Sequence, residues 1–495
     1  MIYLVQNDKE YDYDIRAIIL AFFEREKIVD VTGEESGREM PRFLIRFYFK
    51  ENRIEGQIEE NDRVSVKSGV ECDYRNHKAS RTTVDKFIYE LLSEYTGKKL
   101  PWGTLTGIRP TKIVFKWLSE GLSDQETEDR FCETYLATRQ KAEICTRVAK
   151  KEQEILKRIT YEDEYSIYIG IPFCPTTCLY CSFTSFPLAA FKDRVDDYLT
   201  ALYKEMAYVA EAYRERKLTT IYIGGGTPTS LNPAQMESLL TQIEKTFDLT
   251  YMREFTVEAG RPDSITREKL EAIRRHPVTR ISINPQTMND ETLKLIGRAH
   301  TSEETIKAFK LAREIGFENI NMDIITGLPG EDITHVAKTL EEIKKLSPES
   351  LTVHSLAIKR AAKLNIEMEQ YRSKVKGSTD EMLKLVDREA TGMGMNPYYL
   401  YRQKNIPGNL ENIGYAKEGK ESLYNILIME EKQDIIAMGA GASTKCVYSE
   451  EKRIERGENV KNVDHYIERI DEMILRKKKL LEKRFRKEER NDKDF

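Results

Sequence analysis

Apolar and polar positions fall into two textures along the chain, with a change near residue 165. Before it, a short apolar run at residues 2–5 reads as a strand and residues 14–23 as a helix. RFLIRFYFKENRIEGQI reads as two strands around a Glu51–Asn52 turn. Val84, Phe87, Ile88, Leu91 and Leu92 recur at the three-and-four spacing of an amphipathic helix. Pro101, Gly103, Gly107 and Pro110 punctuate a loop, LPWGTLTGIRPTK, ahead of a helix at 111–118. Arg109 and Lys112 read there as a solvated loop and helix start, with contact to an anionic ligand as the functional alternative. Residues 123–158 are polar and helical, a connection onward, so residues 1–158 form an N-terminal α+β domain.

From residue 165 short apolar runs alternate with amphipathic helices. The runs are 167–171, 220–223, 255–258, 280–284, 319–325 and 351–357, with helices at 195–213, 234–246, 267–275, 303–315 and 335–346. Such alternation predicts parallel βαβ units with right-handed crossovers. Six units fall short of a closed eight-fold barrel. The fold class is therefore α/β, a partial, open (β/α)6 barrel over residues 159–372. Residues 373–495 make a third, α+β domain. It contains a helix at EMLKLVDREATGMGM, a strand-like PYYLYRQKNI and a DIIAMGAGAST stretch whose glycines read as a tight turn. A helical tail from residue 466 is basic but interleaved with acids, which reads as a solvated face.

Bulk properties narrow the classes. A length of 495 residues suggests two to four domains, and a net charge of −4 leaves no basic footprint for nucleic acid. No apolar run reaches the eighteen residues of a membrane-spanning helix, and MIYLVQNDKEYDYD lacks a signal-peptide pattern. Seven cysteines, an odd number at low density, do not form a secreted disulfide framework, so a cytoplasmic protein is expected.

Three of the cysteines, Cys174, Cys178 and Cys181, stand in a C-x3-C-x2-C spacing just after the first apolar run, in YSIYIGIPFCPTTCLYCSFTSF. No further Cys or His follows within ninety residues, so a closed four-ligand zinc site lacks a nearby fourth ligand. Three thiolates would leave one iron of an iron–sulfur cube open. A cluster, a zinc site and redox-active or unliganded thiols are the readings that spacing allows. In parallel α/β folds chemistry gathers at the carboxyl ends of strands. The other motifs sit there: Gly224, Gly225, Gly226 and Thr227 after the second run, Glu258 closing the third, Gln286 after the fourth, and Asp323 with the turn at 327–330 at the fifth. Consecutive glycines let a ligand approach the backbone closely. GGGTPT has neither dinucleotide nor P-loop spacing, which favours a polar, zwitterionic ligand over a phosphate.

IPFCPTTCLYC, with Tyr180 before its last cysteine, followed by IGGGTPT, resembles the radical S-adenosylmethionine superfamily. The Q-x11-R spacing of Gln286 and Arg298 and the MDIITGLPG stretch narrow the resemblance to the oxygen-independent coproporphyrinogen III oxidase family, over about residues 160–450. The resemblance implies a [4Fe–4S] cluster on Cys174, Cys178 and Cys181, whose open iron takes the amino and carboxylate groups of S-adenosylmethionine. It implies cofactor contacts from Tyr168, from Tyr180 near the adenine, from Gly225, Gly226 and Thr227 at the methionine end, and from Glu258, Gln286, Arg298, Asp323 and Ala357. Ser443 lies near a further contact position.

The activity so implied is that of an oxidoreductase of anaerobic porphyrin and haem biosynthesis, which converts coproporphyrinogen III to protoporphyrinogen IX by oxidative decarboxylation. No protein nucleophile or general base is needed. The partners implied are a tetrapyrrole substrate, a flavodoxin- or ferredoxin-type one-electron donor and an electron acceptor. A haem-binding chaperone and another radical reaction on a tetrapyrrole are the alternatives. Lys359, Arg360 and Arg402 are positional candidates for pairing with propionates. Two positions depart from the family's oxidase, which has a His four residues before the first cysteine and a Cys two residues after the third; here they are Gly170 and Phe183.

Overall fold

A computed structural model describes the chain except residues 24–25, 32–41, 62, 161–162, 360–361, 372, 376, 404–408, 449–452 and 492–495. It falls into two compact units. One comprises Met1–Lys150, Gly377–Asp380 and Leu400–Asn412; the other comprises Lys151–Lys376, Glu381–Tyr399 and Ile413–Phe495.

The first unit is built on a five-stranded sheet in the order Ile28–Asp30, Ile2–Gln6, Phe43–Lys50, Arg53–Glu60, Arg63–Glu71. The first two contacts are parallel and the rest antiparallel. Phe43, Ile45 and Phe47 alternate inward, as the period of two requires. Helices Asp12–Phe22 and His77–Thr96 cover them with Ile15, Ile18, Ile19, Val84, Phe87, Ile88, Leu91 and Leu92. The longer helix starts where Asn76 accepts from the Ala79 N–H and stops at Gly97, whose φ of +65° suits a C-terminal cap. Two strands exceed the sequence expectation. Arg63–Glu71 is exposed along nearly its whole length, so no buried face marks it, and Ile28–Asp30 has three residues.

A buried ionic cluster lies within this unit. Lys141 Nζ is 2.6 Å from Glu411 Oε1 and 3.0 Å from Asp380 Oδ1, and Trp102 Nε1 donates to Glu411 Oε2 at 2.7 Å. Arg402, also buried, donates from Nη1 to the carbonyls of Leu105 (2.8 Å) and Gly107 (3.2 Å) and from Nε to that of Asn409 (3.0 Å). Its guanidinium therefore holds the loop that contains TGIRPTK. That corrects the positional reading of Arg402 as a partner for substrate carboxylates.

The second unit carries the barrel strands Glu164–Ile171, Lys217–Gly225, Glu254–Glu258, Arg280–Ser282, Ile320–Thr326 and Ser350–Ser355. They pair in sequence order and all in parallel. Helices Val195–Ala212, Pro233–Thr246, Arg267–Arg274, Ser302–Ile315 and Ile333–Leu346 make the crossovers. Strand one is buried along its length except at Tyr168, as expected of a parallel strand covered on both faces. The sheet does not stop at six strands; it has eleven. Glu411–Ala416 runs antiparallel to strand six, with Asn396–Arg402 beyond it. At the other edge Asp434–Met438 runs parallel to strand one, followed by Ser443–Tyr448 and Arg453–Glu458 as an antiparallel pair. The two open edges of the partial barrel are thus capped by C-terminal chain, which removes a template for edge-to-edge pairing.

The glycines of DIIAMGAGAST form a turn against strand one. Gly439 has φ +104°, and a Cβ there would sit 2.5 Å from the Gly170 carbonyl oxygen and 2.6 Å from the Tyr198 hydroxyl. Tyr198 donates that hydroxyl to the Gly170 carbonyl at 2.6 Å and accepts from the Ala440 N–H at 3.0 Å. Buried Glu205 accepts from the Gly439 N–H (2.9 Å), Asn459 Nδ2 (2.8 Å) and the Tyr466 hydroxyl (2.6 Å). Among the described residues no helix is long and apolar enough to cross a membrane.

Candidate functional site

The cysteine loop is pinned at both ends. Phe173–Cys174 pairs in parallel with Phe186–Pro187, and the Leu179 N–H donates to the Ile296 carbonyl at 2.9 Å. Thr176 Oγ1 reaches the Gly297 carbonyl at 3.1 Å. Cys174 and Cys178 are buried, Cys181 is half-buried, and all three thiols are free. Burial pushes the Cys174 thiol up to about 11, with Cys181 and Cys178 adding to the rise and the Thr227 hydroxyl opposing it. Cys174 Sγ lies 3.3 Å from Thr227 Oγ1 and Cys178 Sγ lies 3.6 Å from Arg261 Nη1. Among the described residues no three His, Cys, Asp or Glu side chains converge on one point as ligands of a single ion.

The glycine turn closes over the same loop. The Gly226 N–H donates to the Ile171 carbonyl and the Thr227 N–H to the Phe173 carbonyl, each at 2.8 Å. A Cβ on Gly226 would stand 2.7 Å from the Phe173 oxygen and 3.0 Å from Cys174 Sγ. Gly225, at φ +110°, would place one 3.0 Å from the Ile171 oxygen. Only glycine permits this approach.

Beside the loop lies a polar barrel interior over an aromatic floor. Tyr222 stacks on Tyr424 with ring centroids 4.5 Å apart, and Tyr168 stacks on Tyr222 at 6.1 Å. The Tyr222 hydroxyl donates to Glu258 Oε1. Burial pushes the Glu258 carboxyl up to about 7, opposed by that hydrogen bond and reinforced by Asp323. Asn321 Nδ2 donates to Asp323 Oδ1 at 2.6 Å and to Ser282 Oγ at 2.8 Å, and His354 Nε2 is 3.9 Å from Asp323 Oδ2. Gly170 and Gly224 pair across strands one and two above this floor. A Cβ on Gly224 would stand 3.2 Å from Glu258 Oε2, whereas one on Gly170 would meet only ordinary contacts at 3.4 and 3.5 Å.

Gln286 and Arg298 complete the wall. Gln286 sits at φ +67°, exchanging backbone hydrogen bonds with Asp323 and Ile325, while its buried Oε1 has no protein partner. A non-glycine residue in that region costs on the order of 1–3 kcal/mol and marks a constrained position. Arg298 donates from Nη1 to the Asn284 carbonyl (2.7 Å) and from Nη2 to the Tyr180 hydroxyl (3.2 Å), and its buried Nε has no partner. Ala357 lies two residues beyond the last residue of strand six. Ser443 opens a strand in the C-terminal antiparallel pair. Phe183 projects into solvent at 71% exposure, with Lys359 Nζ 5.3 Å from its ring centroid. Arg360 lies outside the described residues.

Several residues of the site escaped the sequence reading. Tyr222 is two positions before Gly224 and so shares its face, a period-of-two signal that was available. Tyr424 comes from a remote helix, Leu423–Glu430, whose first N–H donates to the Glu254 carboxylate at 2.6 Å. His354 sits on strand six, and Arg261 follows strand three by three residues.

A family model described as the Radical SAM superfamily matches residues 168–343. The oxygen-independent coproporphyrinogen-III oxidase-like protein HemZ of Bacillus subtilis is 43% identical over 414 residues, covering 83% of each chain. The haem chaperone HemW of the same organism is 34% identical over 315 residues, covering 62% of this chain and 76% of its own. The solved structure of coproporphyrinogen III oxidase (HemN) from Escherichia coli superposes with a TM-score of 0.50 at 23% identity, over 65% of this chain and 73% of its own, a likeness of fold.

Proposed function

The chain belongs to the oxygen-independent coproporphyrinogen III oxidase-like family of the radical S-adenosylmethionine superfamily, and from that membership we infer an oxidative decarboxylase of coproporphyrinogen III. The superfamily's cofactors are a [4Fe–4S] cluster and S-adenosylmethionine. The residues present fit them. Three thiols share one loop, Gly226 offers only hydrogen toward Cys174 Sγ, and the buried Gln286 Oε1 and Arg298 Nε lack protein partners. Together the two groups supply one-electron reduction and abstraction of a hydrogen atom from an unactivated carbon.

The chain's own residues bind and orient. Cys174, Cys178 and Cys181 would hold three irons, and the backbone of Gly225, Gly226 and Thr227 would receive the methionine end of the cofactor. Tyr180 would pack near its adenine. Tyr168, Glu258, Gln286, Arg298, Asp323 and Ala357 would line the rest of its pocket. No side chain acts as nucleophile. Each of two propionates loses a hydrogen atom, one electron and carbon dioxide to become a vinyl group, so an electron acceptor is consumed. Lys359, whose Nζ stands 5.3 Å from the Phe183 ring centroid, is the cation that this reading would pair with a substrate carboxylate. A cytoplasmic site of action and a ferredoxin- or flavodoxin-type donor complete the reading.

The observation that carries the proposal is the near full-length relationship to the oxidase-like HemZ, with all three thiols and the glycine turn gathered at one barrel mouth. The HemW relative favours a second reading, a haem-transfer protein. Anaerobic incubation of the reconstituted full chain with coproporphyrinogen III, a reductant and S-adenosylmethionine separates them. Protoporphyrinogen IX is the expected product. Cofactor cleavage without decarboxylation overturns the proposal, and stable haem binding without turnover favours the second reading.

A further inference from the structure

Three residues past the Glu258 end of barrel strand three stands Arg261, 3% exposed. A guanidinium has five N–H donors, and nearly all of these are placed. Nε and Nη2 form a two-pronged contact with the Asp263 carboxylate at 2.9 and 2.7 Å. Nη1 donates to the Thr176 carbonyl at 3.1 Å and to Thr176 Oγ1 at 3.0 Å, and lies 3.6 Å from Cys178 Sγ, within reach of an N–H···S hydrogen bond. Asp263 is itself backed by fully buried His300, whose Nδ1 is 3.7 Å from Oδ1. The Arg261 carbonyl accepts from the Ser264 N–H at 2.9 Å and from Ser264 Oγ at 2.7 Å, which fixes the backbone from which the side chain departs.

This is more than a buried ion pair. Asp263 satisfies one edge of the guanidinium and leaves the other edge facing the cysteine loop. A buried cation is retained at a cost unless it is paired and hydrogen-bonded. Here the second edge finds a backbone carbonyl, a hydroxyl and a thiol of the three-cysteine set.

We propose that Arg261 is the residue that sets the reduction potential of the cluster, through its hydrogen bond and fixed charge at Cys178. Hydrogen bonds to cluster sulfurs are among the determinants of iron–sulfur potentials. A donor aimed at a thiolate stabilises the state with more negative charge on sulfur, which is the reduced one. Arg261 thereby favours uptake of one electron from a low-potential donor, with no bond broken and no proton moved. Asp263 and His300 act through Arg261 as positioning residues. The inference rests on Cys178 being a cluster ligand and is independent of which tetrapyrrole, if any, is bound.

The test is a redox titration of the full chain, reconstituted anaerobically with iron and sulfide. Viologen mediators are used without S-adenosylmethionine, and the EPR signal of the reduced cluster is followed. Iron and sulfide content are measured on the same samples. Arg261→Gln is expected to retain the cluster and to shift its reduction equilibrium at least tenfold toward the oxidised form, 59 mV for one electron. Arg261→Lys, which keeps the charge without the planar fork, is expected to shift it in the same direction by less. An unchanged potential in a cluster-loaded Arg261→Gln overturns the proposal. If that variant takes up no cluster, an unchanged potential in Arg261→Lys overturns it instead. Full iron content in Cys178→Ala would refute the ligand assignment on which the proposal stands.

Discussion

Replacing Gly226 by Ala perturbs the junction between the glycine turn and the cysteine loop at a single atom. The added Cβ would lie 2.7 Å from the Phe173 carbonyl oxygen and 3.0 Å from both Cys174 Sγ and the Pro172 carbonyl carbon. Relief requires a shift of about half an ångström, since packed carbon and oxygen atoms rest near 3.3 Å or beyond. The Phe173 oxygen cannot give way freely, because it accepts the Thr227 N–H at 2.8 Å. Overpacking costs about 1–3 kcal/mol, and a weakened buried hydrogen bond about 1 more, so a loss of about 2–4 kcal/mol is expected. The displaced atoms include a thiol of the three-cysteine set, so metal loading should fall with stability. The assay pairs thermal unfolding with iron content after anaerobic reconstitution. Gly392→Ala is the control, since nothing lies within 4 Å of its Cβ position in the helix Asp380–Gly392. Gly226→Ala should melt several degrees lower and hold less than half the iron, whereas Gly392→Ala should match or exceed the parent. Wild-type melting and full iron content in Gly226→Ala would refute the reasoning.

Other expectations concern both units. Glu258, with its carboxyl raised from the usual 4.5 to about 7, favours the folded state when protonated. Its contribution is therefore complete below the ordinary glutamate range and is lost as pH rises through 7, at most about 3 kcal/mol in all. Glu258→Gln should flatten that part of the stability–pH curve, read as the difference in Tm from wild type between pH 5 and 8; parallel curves would contradict it. Lys141→Met leaves the Glu411 carboxylate buried without its cation and should cost about 3–5 kcal/mol in the first unit, measured by chemical denaturation; an unchanged midpoint would count against the ion cluster. Gly170→Ala should be neutral or slightly stabilising in thermal unfolding, because its Cβ meets neighbours only at 3.4 and 3.5 Å; a large loss would mean that strand one tolerates no side chain there.

What could be read from sequence was set by how local the signal is. Each barrel strand announced itself as an apolar run followed by a motif at its carboxyl end, and the five crossover helices carried their own periodicity. The cysteine loop and glycine turn were legible because their spacing is their chemistry. Strand pairings made over long separations were not. Asp434–Met438 pairs with strand one some 270 residues earlier, as Ile436 with Ile167, and a short apolar run gives no hint of that partner. Arg63–Glu71 was missed because an exposed edge strand lacks a buried face. Arg402 misled: position suggested a substrate cation, while burial and three backbone carbonyls make it a brace for a loop. Arg261 gave no signal at all, since its meaning depends on Cys178, 83 residues away.

The central claim is that Cys174, Cys178 and Cys181 hold a cluster with one iron open to S-adenosylmethionine. EPR of the reduced, reconstituted full chain, recorded before and after adding S-adenosylmethionine, tests it most directly. A [4Fe–4S] signal that changes shape on addition, and that is absent from Cys174→Ala, Cys178→Ala and Cys181→Ala, is the expected result. A signal indifferent to S-adenosylmethionine, or one that survives loss of any of the three thiols, would contradict it.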